Sequence, residues 1–246
     1  MPKRPSTARS PLSGKVALIT GASRGIGLAI ARALAARQCN VVLSGRNLPM
    51  LQKAGRELAR REVQTLVATC DVRDPQSVKT LAATIKRKFR RVDILINNAG
   101  ISQPSLSVEK LDYEMWKDVI DTNLNGTFLV THEILPLMRR SGTIVNNLSL
   151  AATRVFPGLS AYDASKFGAL GFTDTLREEL RPKGIRVIAL IPGATDTDIW
   201  NTLWPDAPRK KMMSPETIAQ AVVCALCLPE NSTVEELKLL PSTGTL

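Results

Sequence analysis

The sequence has few residues from which a metal site, a disulfide framework or a histidine-based catalytic triad could be built. Its 246 residues include four cysteines and a single histidine, His132, in the middle of a helical pattern. Cys39 and Cys70 stand alone beside apolar runs. Cys224 and Cys227 form a C-x-x-C, but they lie within an apolar helical pattern that has no second Cys or His pair nearby. The pattern predicts buried thiols and no bound metal.

Long apolar runs are also absent. No stretch approaches the roughly 20 apolar residues that a membrane-spanning helix needs. Residues 1–14 are basic and rich in Pro and Ser, and they lack the apolar core of a secretory signal. We therefore expect residues 1–13 to form a flexible basic tail, and we expect a cytoplasmic protein without a membrane partner.

Acidic residues are too few to balance the basic ones, which leaves a formal net charge of +11. The excess is spread over short clusters, such as Arg60-Arg61 and Arg209-Lys210-Lys211, without interleaved aromatics or a nucleic-acid motif. Solvated helix ends account for most of it. An acidic substrate or partner, for example a carrier protein, is the next interpretation, and nucleic acid comes third. We expect no nucleic-acid partner.

The chain does contain a strand, a glycine turn and a helix in immediate succession. An apolar run over residues 15–20 is followed by Gly21, Gly25 and Gly27, and then by a helical pattern through Ile30 and Leu34. This order is typical of a dinucleotide-binding site, in which a pyrophosphate lies on the helix N-terminus. The spacing is G-x-x-x-G-x-G rather than the commoner G-x-G-x-x-G.

The next apolar run predicts which dinucleotide is bound. It covers residues 40–44 and ends in Gly45-Arg46, where an acidic residue would hold a ribose 2′-hydroxyl. A guanidinium suits a 2′-phosphate instead, and Arg24 in the glycine loop adds a second cation. The sequence therefore predicts NADP(H).

Near-continuous Val, Ile and Leu runs alternate with helical patterns along the rest of the chain. Further runs of strand length cover residues 64–69, 92–96, 143–148 and 185–191. Helical patterns cover residues 75–89, 111–138 and 161–181. Such alternation is typical of a parallel sheet covered on both faces. We predict one α/β domain over residues 14–246: a Rossmann fold with a doubly wound parallel sheet of about seven strands and helices on both faces.

The helix predicted from about Ala161 to Arg181 carries Tyr162 and Lys166, which are four residues apart. Residues at this spacing lie on one face of a helix. A cation beside a phenol favours the phenolate and lowers its pKa, which makes the phenol usable in proton transfer near neutral pH.

Taken in order, the motifs resemble those of the short-chain dehydrogenases/reductases, from about Ser13 to the C-terminus. In type they come closest to the 3-oxoacyl-(acyl-carrier-protein) reductases. The motifs that carry the resemblance are Thr20–Gly27 (TGASRGIG), Asp71-Val72, Asn97-Asn98-Ala99-Gly100, Asn123, Ser149, Tyr162-x-x-x-Lys166 and Pro192-Gly193. Two asparagines, Asn146 and Asn147, make the strand before Ser149 more polar than is usual in the family.

The resemblance implies a catalytic tetrad of Asn123, Ser149, Tyr162 and Lys166. Tyr162 would protonate the carbonyl oxygen, and Ser149 would donate a hydrogen bond to the same oxygen. Lys166 would hold the nicotinamide ribose and depress the tyrosine pKa. Asn123 would support a water that links Lys166 to solvent.

The resemblance also implies a set of cofactor contacts besides Tyr162 and Lys166. The adenine would meet Asp71 and Val72, and the carboxamide would meet a threonine, for which Thr197 matches the family position better than Thr195. The remaining contacts would be Gly21, Ser23, Arg24, Gly25, Ile26, Gly27, Arg46, Asn98, Ala99, Gly100, Pro192 and Gly193.

A segment of about twenty residues, 194–213, follows Pro192-Gly193 and is predicted to be a substrate lid. It ends where Ser214 and Pro215 signal a helix start. Its apolar residues share a helical face, so they either pack on the sheet or line an apolar substrate pocket. They are Ile199, Trp200, Leu203 and Trp204.

The function expected from these observations is NADPH-dependent reduction of a carbonyl, or the reverse oxidation of a secondary alcohol. A 3-oxoacyl thioester is the first substrate candidate and another ketone the second. The alternative from a different class is a non-catalytic NADP(H)-binding protein that reports redox state to a partner.

We also expect a homo-dimer or homo-tetramer. The region 111–138 presents more apolar residues than one sheet face needs, and family members use this helix for subunit contacts. The residues of this face are Leu124, Phe128, Val130, Ile134, Leu135 and Met138.

Overall fold

Seven strands form one parallel sheet in the computed structural model, which describes residues 10–245. The strands are β1 Val16–Thr20, β2 Asn40–Gly45, β3 Thr65–Thr69, β4 Val92–Asn97, β5 Met138–Asn147, β6 Arg186–Pro192 and β7 Glu236–Leu239. Their order is β3-β2-β1-β4-β5-β6-β7, and every pairing is parallel. The predicted α/β Rossmann fold is confirmed. The strand order reverses between β1 and β4, which is where ligands bind in open α/β sheets.

Helices cover both faces of this sheet. The α-helices are α1 Gly25–Ala35, α2 Leu48–Ala59, α3 Pro75–Phe89, α4 Tyr113–Ile120, α5 Gly126–Ile134, α6 Ser160–Leu180, α7 Trp200–Leu203 and α8 Pro215–Leu226. In β1, Ala17 and Ile19 pack with α1, α2 and α8, whereas Val16 and Leu18 pack with α3, α5 and α6. Because successive strand residues point to opposite faces, a strand buried on both sides must be apolar throughout.

Side-chain caps fix where several helices begin. Asn47 accepts a hydrogen bond from the Met50 amide at the start of α2, and Asp74 accepts one from the Gln76 amide at the start of α3. Ser214 accepts one from the Thr217 amide, with Pro215 in the first turn of α8, as the sequence predicted. Such caps satisfy amide groups that have no partner within the helix.

The predicted tail boundary is placed too late in the chain. Residues 1–9 lie outside the described part, but residues 10–13 are ordered. Leu12 is fully buried in the core beside α1 and β2, and the Ser13 amide donates a hydrogen bond to the Ser10 carbonyl. A single leucine in a Pro/Ser-rich stretch gives no periodic signal, although burying it stabilises the fold by about 1.5–3 kcal/mol.

The predicted amphipathic region 111–138 is not one helix. A π-helical turn, Asp121–Asn125, joins α4 to α5, and Met138 already belongs to β5. Val130 and Ile134 are buried against the sheet. The six apolar residues therefore do not form one exposed face, and the prediction was wrong on this point. Of the six, Phe128 is the large exposed side chain, with 49% of its surface accessible.

The cysteines follow the prediction only in part. Cys39 and Cys70 are buried, but Cys224 is exposed. It lies two residues from the buried Val222 and Leu226, so it faces the opposite side of α8. Between residues 10 and 245, His, Cys, Asp and Glu nowhere form a group of three that could hold a metal ion. No helix in the same range has the length and apolar character to cross a lipid bilayer.

The segment 194–213 begins after the carboxyl end of β6 and ends just before α8. Its ends pair with each other: the Met213 amide donates to the Ala194 carbonyl, and the Asp196 amide donates to the Met213 carbonyl. Backbone hydrogen bonds therefore join the two ends of this 20-residue segment.

Candidate active site

One cleft of about 760 Å³ runs along the carboxyl ends of the strands. It extends from the residues that follow β3 to those that follow β6, and it passes the glycine loop after β1. The structure brings together there every predicted site residue except Gly27 and Asn123. These lining residues are Gly21, Ser23, Arg24, Gly25, Ile26, Arg46, Asp71, Val72, Asn98, Ala99, Gly100, Ser149, Tyr162, Lys166, Pro192, Gly193, Thr195 and Thr197.

The glycine loop has the conformation that its sequence requires. Gly21 and Gly25 have positive φ angles of +62° and +55°, a region that residues with a Cβ rarely adopt. Gly27 lies behind the loop, where a Cβ would come within 2.6 Å of the Gly21 carbonyl oxygen and would also meet the Asn98 side chain. The cradle therefore depends on glycine at three positions.

The N-terminus of α1 faces the cleft. No side chain caps its first turn, and no acidic residue lies there. Such a helix end offers free amides and a positive dipole to an anion, which fits the pyrophosphate of a dinucleotide.

Arg24 has a partner that the sequence did not suggest. Its Nη1 donates to Asp198 Oδ2 at 2.9 Å, so it joins the glycine loop to the segment 194–213 instead of lying free for a 2′-phosphate. Both side chains are more than half exposed, with 62% and 54% of their surfaces accessible. A pair of this kind contributes little to stability.

At the other end of the cleft, Gly45 ends β2 and Arg46 follows it, and Asp71 and Val72 follow β3. Hydrogen bonds from the Arg73 guanidinium hold the pKa of Asp71 below its usual value. The Arg73 guanidinium also pairs with Asp118 at 2.8 Å. Much of the Asp71 charge is therefore offset by a neighbouring cation.

Two asparagines after β4 and at the end of β5 join the glycine loop to the catalytic end. Asn98 Nδ2 donates to the carbonyls of Thr20 and Gly21 at 3.0 and 3.2 Å. Asn98 Oδ1 accepts from Asn147 Nδ2 at 2.8 Å. Asn147 also lines the cleft, and its own carbonyl accepts from Lys166 Nζ at 3.0 Å. The unusually polar end of β5 thus connects two parts of the site.

Asn146, the other asparagine near the end of β5, makes its hydrogen bonds inside the protein and does not line the cleft. Its Nδ2 donates to Thr173 Oγ1 at 2.9 Å, and its Oδ1 accepts from Asn97 Nδ2 at 2.8 Å. The residue is buried, and these bonds link β5 to β4 and α6. A buried amide with such partners avoids the cost of an unsatisfied polar group.

Ser149 and Tyr162 meet at the end of β5. Ser149 begins a 3₁₀ turn, Leu150–Ala152, in which its Oγ accepts from the Ala151 amide at 3.2 Å. Burial raises the pKa of Tyr162, and a hydrogen bond with Ser149 lowers it in part. The sequence predicted a depressed tyrosine pKa, and the structure gives the opposite direction. Desolvation penalises the phenolate more than the neighbours stabilise it.

The position of Lys166 explains why it does not lower the tyrosine pKa here. Its Nζ lies 5.6 Å from the centre of the Tyr162 ring and donates to the Asn147 carbonyl. Burial lowers the pKa of Lys166 to about 8, so the ammonium loses its charge more readily than an exposed lysine.

Asn123 lies in the π-helical turn, beneath the surface of the cleft. Its Oδ1 accepts from the Ile101 amide, and its Nδ2 donates to the Ile101 carbonyl and to Ser165 Oγ, at 2.9 to 3.0 Å. A Cβ on Gly100 would lie 3.3 Å from Asn123 Oδ1 and 3.8 Å from Lys166 Nζ. Asn123 is therefore a neighbour of Lys166, although it does not touch the cleft.

Two residues fix the start of α6, and the sequence patterns marked neither of them. Gln103 Oε1 accepts from the amides of Ala161 and Tyr162 at 2.8 and 3.2 Å. Asp163 Oδ2 accepts from the Phe156 amide at 2.7 Å, and burial raises the pKa of Asp163. Gln103 belongs to no motif, and Asp163 stands at an unspecified position of Tyr162-x-x-x-Lys166, so the sequence patterns gave no signal for either contact.

The two threonines after β6 have separate surroundings. Thr195 is buried and donates its hydroxyl to the Gly193 carbonyl at 3.0 Å. Thr197 faces the glycine loop, since a Cβ on Gly25 would lie 3.2 Å from its methyl group.

The apolar residues of segment 194–213 were predicted either to pack on the sheet or to line a substrate pocket. All four line the cleft, and Ile199 and Leu203 also pack on the buried cluster that contains Tyr162. Phe156 and Leu159, which the motifs did not reveal, line the same end.

Comparisons with known proteins place the chain in a family. The sequence model of the short chain dehydrogenase family matches residues 15–208. The sepiapterin reductase of Chlorobaculum tepidum is 37% identical over 244 residues, which cover 94% of this chain and 98% of the relative. The 3-oxoacyl-[acyl-carrier-protein] reductase of Synechocystis is 38% identical over 195 residues, or 78% of each chain.

A solved structure agrees with these sequence matches. The alcohol dehydrogenase of the archaeon Thermococcus sibiricus, complexed with 5-hydroxy-NADP, is 33% identical and has a TM-score of 0.88. The match covers 94% of this chain and 97% of that structure. The family model and these relatives show that the chain belongs to the short-chain dehydrogenase family.

Proposed function

We propose that the protein is an NADPH-dependent oxidoreductase that acts on a carbonyl group or the corresponding secondary alcohol. The observation that carries the proposal is the meeting of Ser149, Tyr162 and Lys166 at one end of the cleft that holds the glycine cradle. The relatives named above are reductases and a dehydrogenase, which favours catalysis over the alternative of a non-catalytic redox sensor.

NADP(H) fits the residues of the cleft. The cradle of Gly21, Gly25 and Gly27 leaves room for a close approach to the backbone, and α1 directs its N-terminus at the same place. Arg46 gives the adenosine end a cation that suits a 2′-phosphate. A bound nicotinamide supplies or accepts hydride at its C4 atom.

Side chains of the cleft supply the proton that the reduction of a carbonyl needs. Because burial raises its pKa, Tyr162 is protonated at neutral pH and donates this proton to the carbonyl oxygen during reduction. Ser149 donates a hydrogen bond to the same oxygen and stabilises the charge that develops on it. Lys166 would hold the nicotinamide ribose. Asn123 would support a water near Lys166, and this water would relay protons to solvent.

The segment 194–213 is the substrate lid in this proposal. The first specific substrate candidate is a 3-oxoacyl thioester, supported by the similarity to the Synechocystis reductase, and the basic surface would suit an acidic carrier protein. Another ketone is the second candidate.

The direct test is oxidation of NADPH by the purified protein with a panel of ketones, 3-oxoacyl thioesters, sugars and quinones. At least one carbonyl compound should be reduced, and the loss of NADPH absorbance measures it. If NADPH binds but none of the compounds is reduced, the redox-sensor alternative is favoured.

A first prediction concerns the glycine cradle. Gly27→Ala should weaken NADPH binding at least tenfold, because the new methyl group would lie 2.6 Å from the Gly21 carbonyl oxygen and displace the loop. Gly171→Ala is the matched control, since a Cβ there meets no atom within 4 Å and alanine favours the helix by about 1 kcal/mol. Fluorescence titration with NADPH measures affinity, and a melting curve checks the fold. Unchanged NADPH affinity in the Gly27 variant would contradict the proposed cradle.

A second prediction concerns assembly, which we propose to be a homo-dimer or homo-tetramer. Large exposed aromatic residues lie on α4, α5 and α6: Trp116, Phe128 and Phe167. Light scattering at micromolar protein should give a multiple of the chain mass, and Phe128→Glu should lower it, because a charge would be buried in the contact. Leu48→Glu, an exposed position on α2 at the other face of the sheet, should not. A monomer mass for the wild type would refute the proposal.

A further inference from the structure

The cleft beyond Tyr162 has apolar walls from three parts of the chain. The turn after Ser149, the loop before α6 and the segment 194–213 each contribute side chains. They include Leu150, Phe156, Leu159, Trp200, Leu203 and Trp204. A substrate whose carbonyl reaches Tyr162 would therefore place its remaining atoms against hydrocarbon and aromatic surfaces.

The charges that line the cleft do not favour an ionic substrate at this end. The charged lining residues are Arg24, Arg46, Asp71, Lys166 and Asp198. Arg46 and Asp71 lie after β2 and β3, at the opposite end of the cleft. Arg24 and Asp198 neutralise each other, and Lys166 donates to the Asn147 carbonyl. Within residues 10–245, a substrate carboxylate or phosphate would be desolvated at the apolar end without a free cation to receive it, which is costly.

Two tryptophans in the apolar wall are held in place. Trp200 Nε1 donates to the Thr195 carbonyl at 2.8 Å, which fixes the plane of its ring. The Trp204 ring packs edge to face on it, with 6.4 Å between the ring centres and 60° between the planes. Trp204 still has 45% of its surface accessible, so part of its indole is free to meet a substrate.

One arginine fixes the backbone that carries these rings. Arg209 Nη1 donates to Asp196 Oδ1 at 2.9 Å and to the Thr197 carbonyl at 2.6 Å, and Nη2 donates to Asn201 Oδ1 at 2.8 Å. Three contacts on both sides of Trp200 order the segment before a substrate arrives. Such pre-organisation reduces the entropic cost of binding.

We infer that the substrate is an uncharged ketone whose carbonyl adjoins a flat aromatic ring, and that Trp200 and Trp204 select this ring. The inference rests on the proposed carbonyl reduction and deepens it: of the two substrate candidates, it favours another ketone over the 3-oxoacyl thioester. Aromatic pairs gain affinity beyond their buried area when the rings stack with an offset or meet edge to face. A saturated ring of similar size buries comparable area but has no π face, so the indoles discriminate between the two.

The test compares 1-tetralone with 1-decalone, its saturated counterpart, and with the N-acetylcysteamine thioester of acetoacetate. Each is reduced with NADPH by the wild type and by Trp204→Leu, which keeps the site apolar. The measured quantity is the factor by which the substitution lowers kcat/KM for each substrate. Comparing these factors removes the difference in intrinsic reactivity between aryl and saturated ketones.

Trp204→Leu should lower kcat/KM for 1-tetralone by a factor about five times larger than its factor for 1-decalone, as expected for one aromatic contact. Trp204→Phe should restore most of the difference. Tyr113→Leu is the control because this exposed aromatic residue begins α4 outside the cleft, and it should change kcat/KM for the two ketones equally.

The outcomes separate the inference from the proposed function. Equal losses for both ketones, or a higher wild-type kcat/KM for the thioester than for 1-tetralone, would overturn the aromatic-ketone inference and leave carbonyl reduction intact. If the wild type binds NADPH but reduces none of the three, the proposed function fails and the inference fails with it.

Discussion

Tyr162→Phe is expected to bind NADPH almost as the wild type does and to lose nearly all turnover. The ring that packs in the buried apolar cluster stays, so the fold should survive. The hydroxyl beside Ser149 is removed, and no other side chain in the cleft has a protonated phenol to offer the carbonyl oxygen. Loss of a general acid typically lowers the rate by about a hundred- to ten-thousandfold. The measurement is kcat with the best ketone of the panel, together with the Kd for NADPH.

The chain has a matched control in its other tyrosine. Tyr113 begins α4 and has 71% of its surface exposed. Tyr113→Phe removes the same hydroxyl group from a position outside the cleft and should leave kcat unchanged. If Tyr162→Phe kept more than about a tenth of the wild-type turnover, the assignment of the general acid would be wrong.

Much of this site follows from the sequence because it lies at the ends of strands. Gly21, Asp71, Asn98, Ser149 and Gly193 each stand just after an apolar run of strand length. Carboxyl ends of parallel strands meet at one sheet edge, so separate motifs converge on a single cleft. Spacing along the chain was therefore enough to place these residues together.

The contacts between distant segments were not predictable in the same way. Gln103 reaches the start of α6 across 58 residues, and Arg24 reaches Asp198 across 174 residues. Neither pair has a periodic pattern that would associate its members. Such contacts depend on the paths of loops, which local preferences do not determine.

Directions of pKa shifts also lie beyond sequence patterns. The i, i+4 spacing correctly puts Tyr162 and Lys166 on one face, but the sign of the shift at the phenol depends on burial. Both residues are buried, so each loses solvation of its charged form. Burial is the largest cause of the raised tyrosine pKa and the cause of the lowered lysine pKa.

The other large effect that we expect is on the choice of cofactor. Gly45→Asp should weaken NADPH binding and leave NADH binding unchanged or stronger. An added Cβ at Gly45 meets its nearest atoms at 3.9 Å, so the side chain fits without displacing the backbone. Its carboxylate would repel a 2′-phosphate and compete for Arg46. A charge-assisted hydrogen bond contributes about 1.5–3 kcal/mol, so losing it should cost about ten- to a hundredfold in NADPH affinity.

Three further variants show which groups read the phosphate. Gly45→Asn has the same shape without the charge and should keep most NADPH affinity. Arg46→Ala should weaken NADPH alone, by about tenfold after screening by salt. Asp198→Asn releases Arg24 from its ion pair, so NADPH affinity should rise if this guanidinium also reaches the phosphate. Titration of each protein with both cofactors gives the affinities. Equal wild-type affinity for NADPH and NADH, or an unchanged preference in both Gly45→Asp and Arg46→Ala, would show that this end of the cleft does not recognise the phosphate.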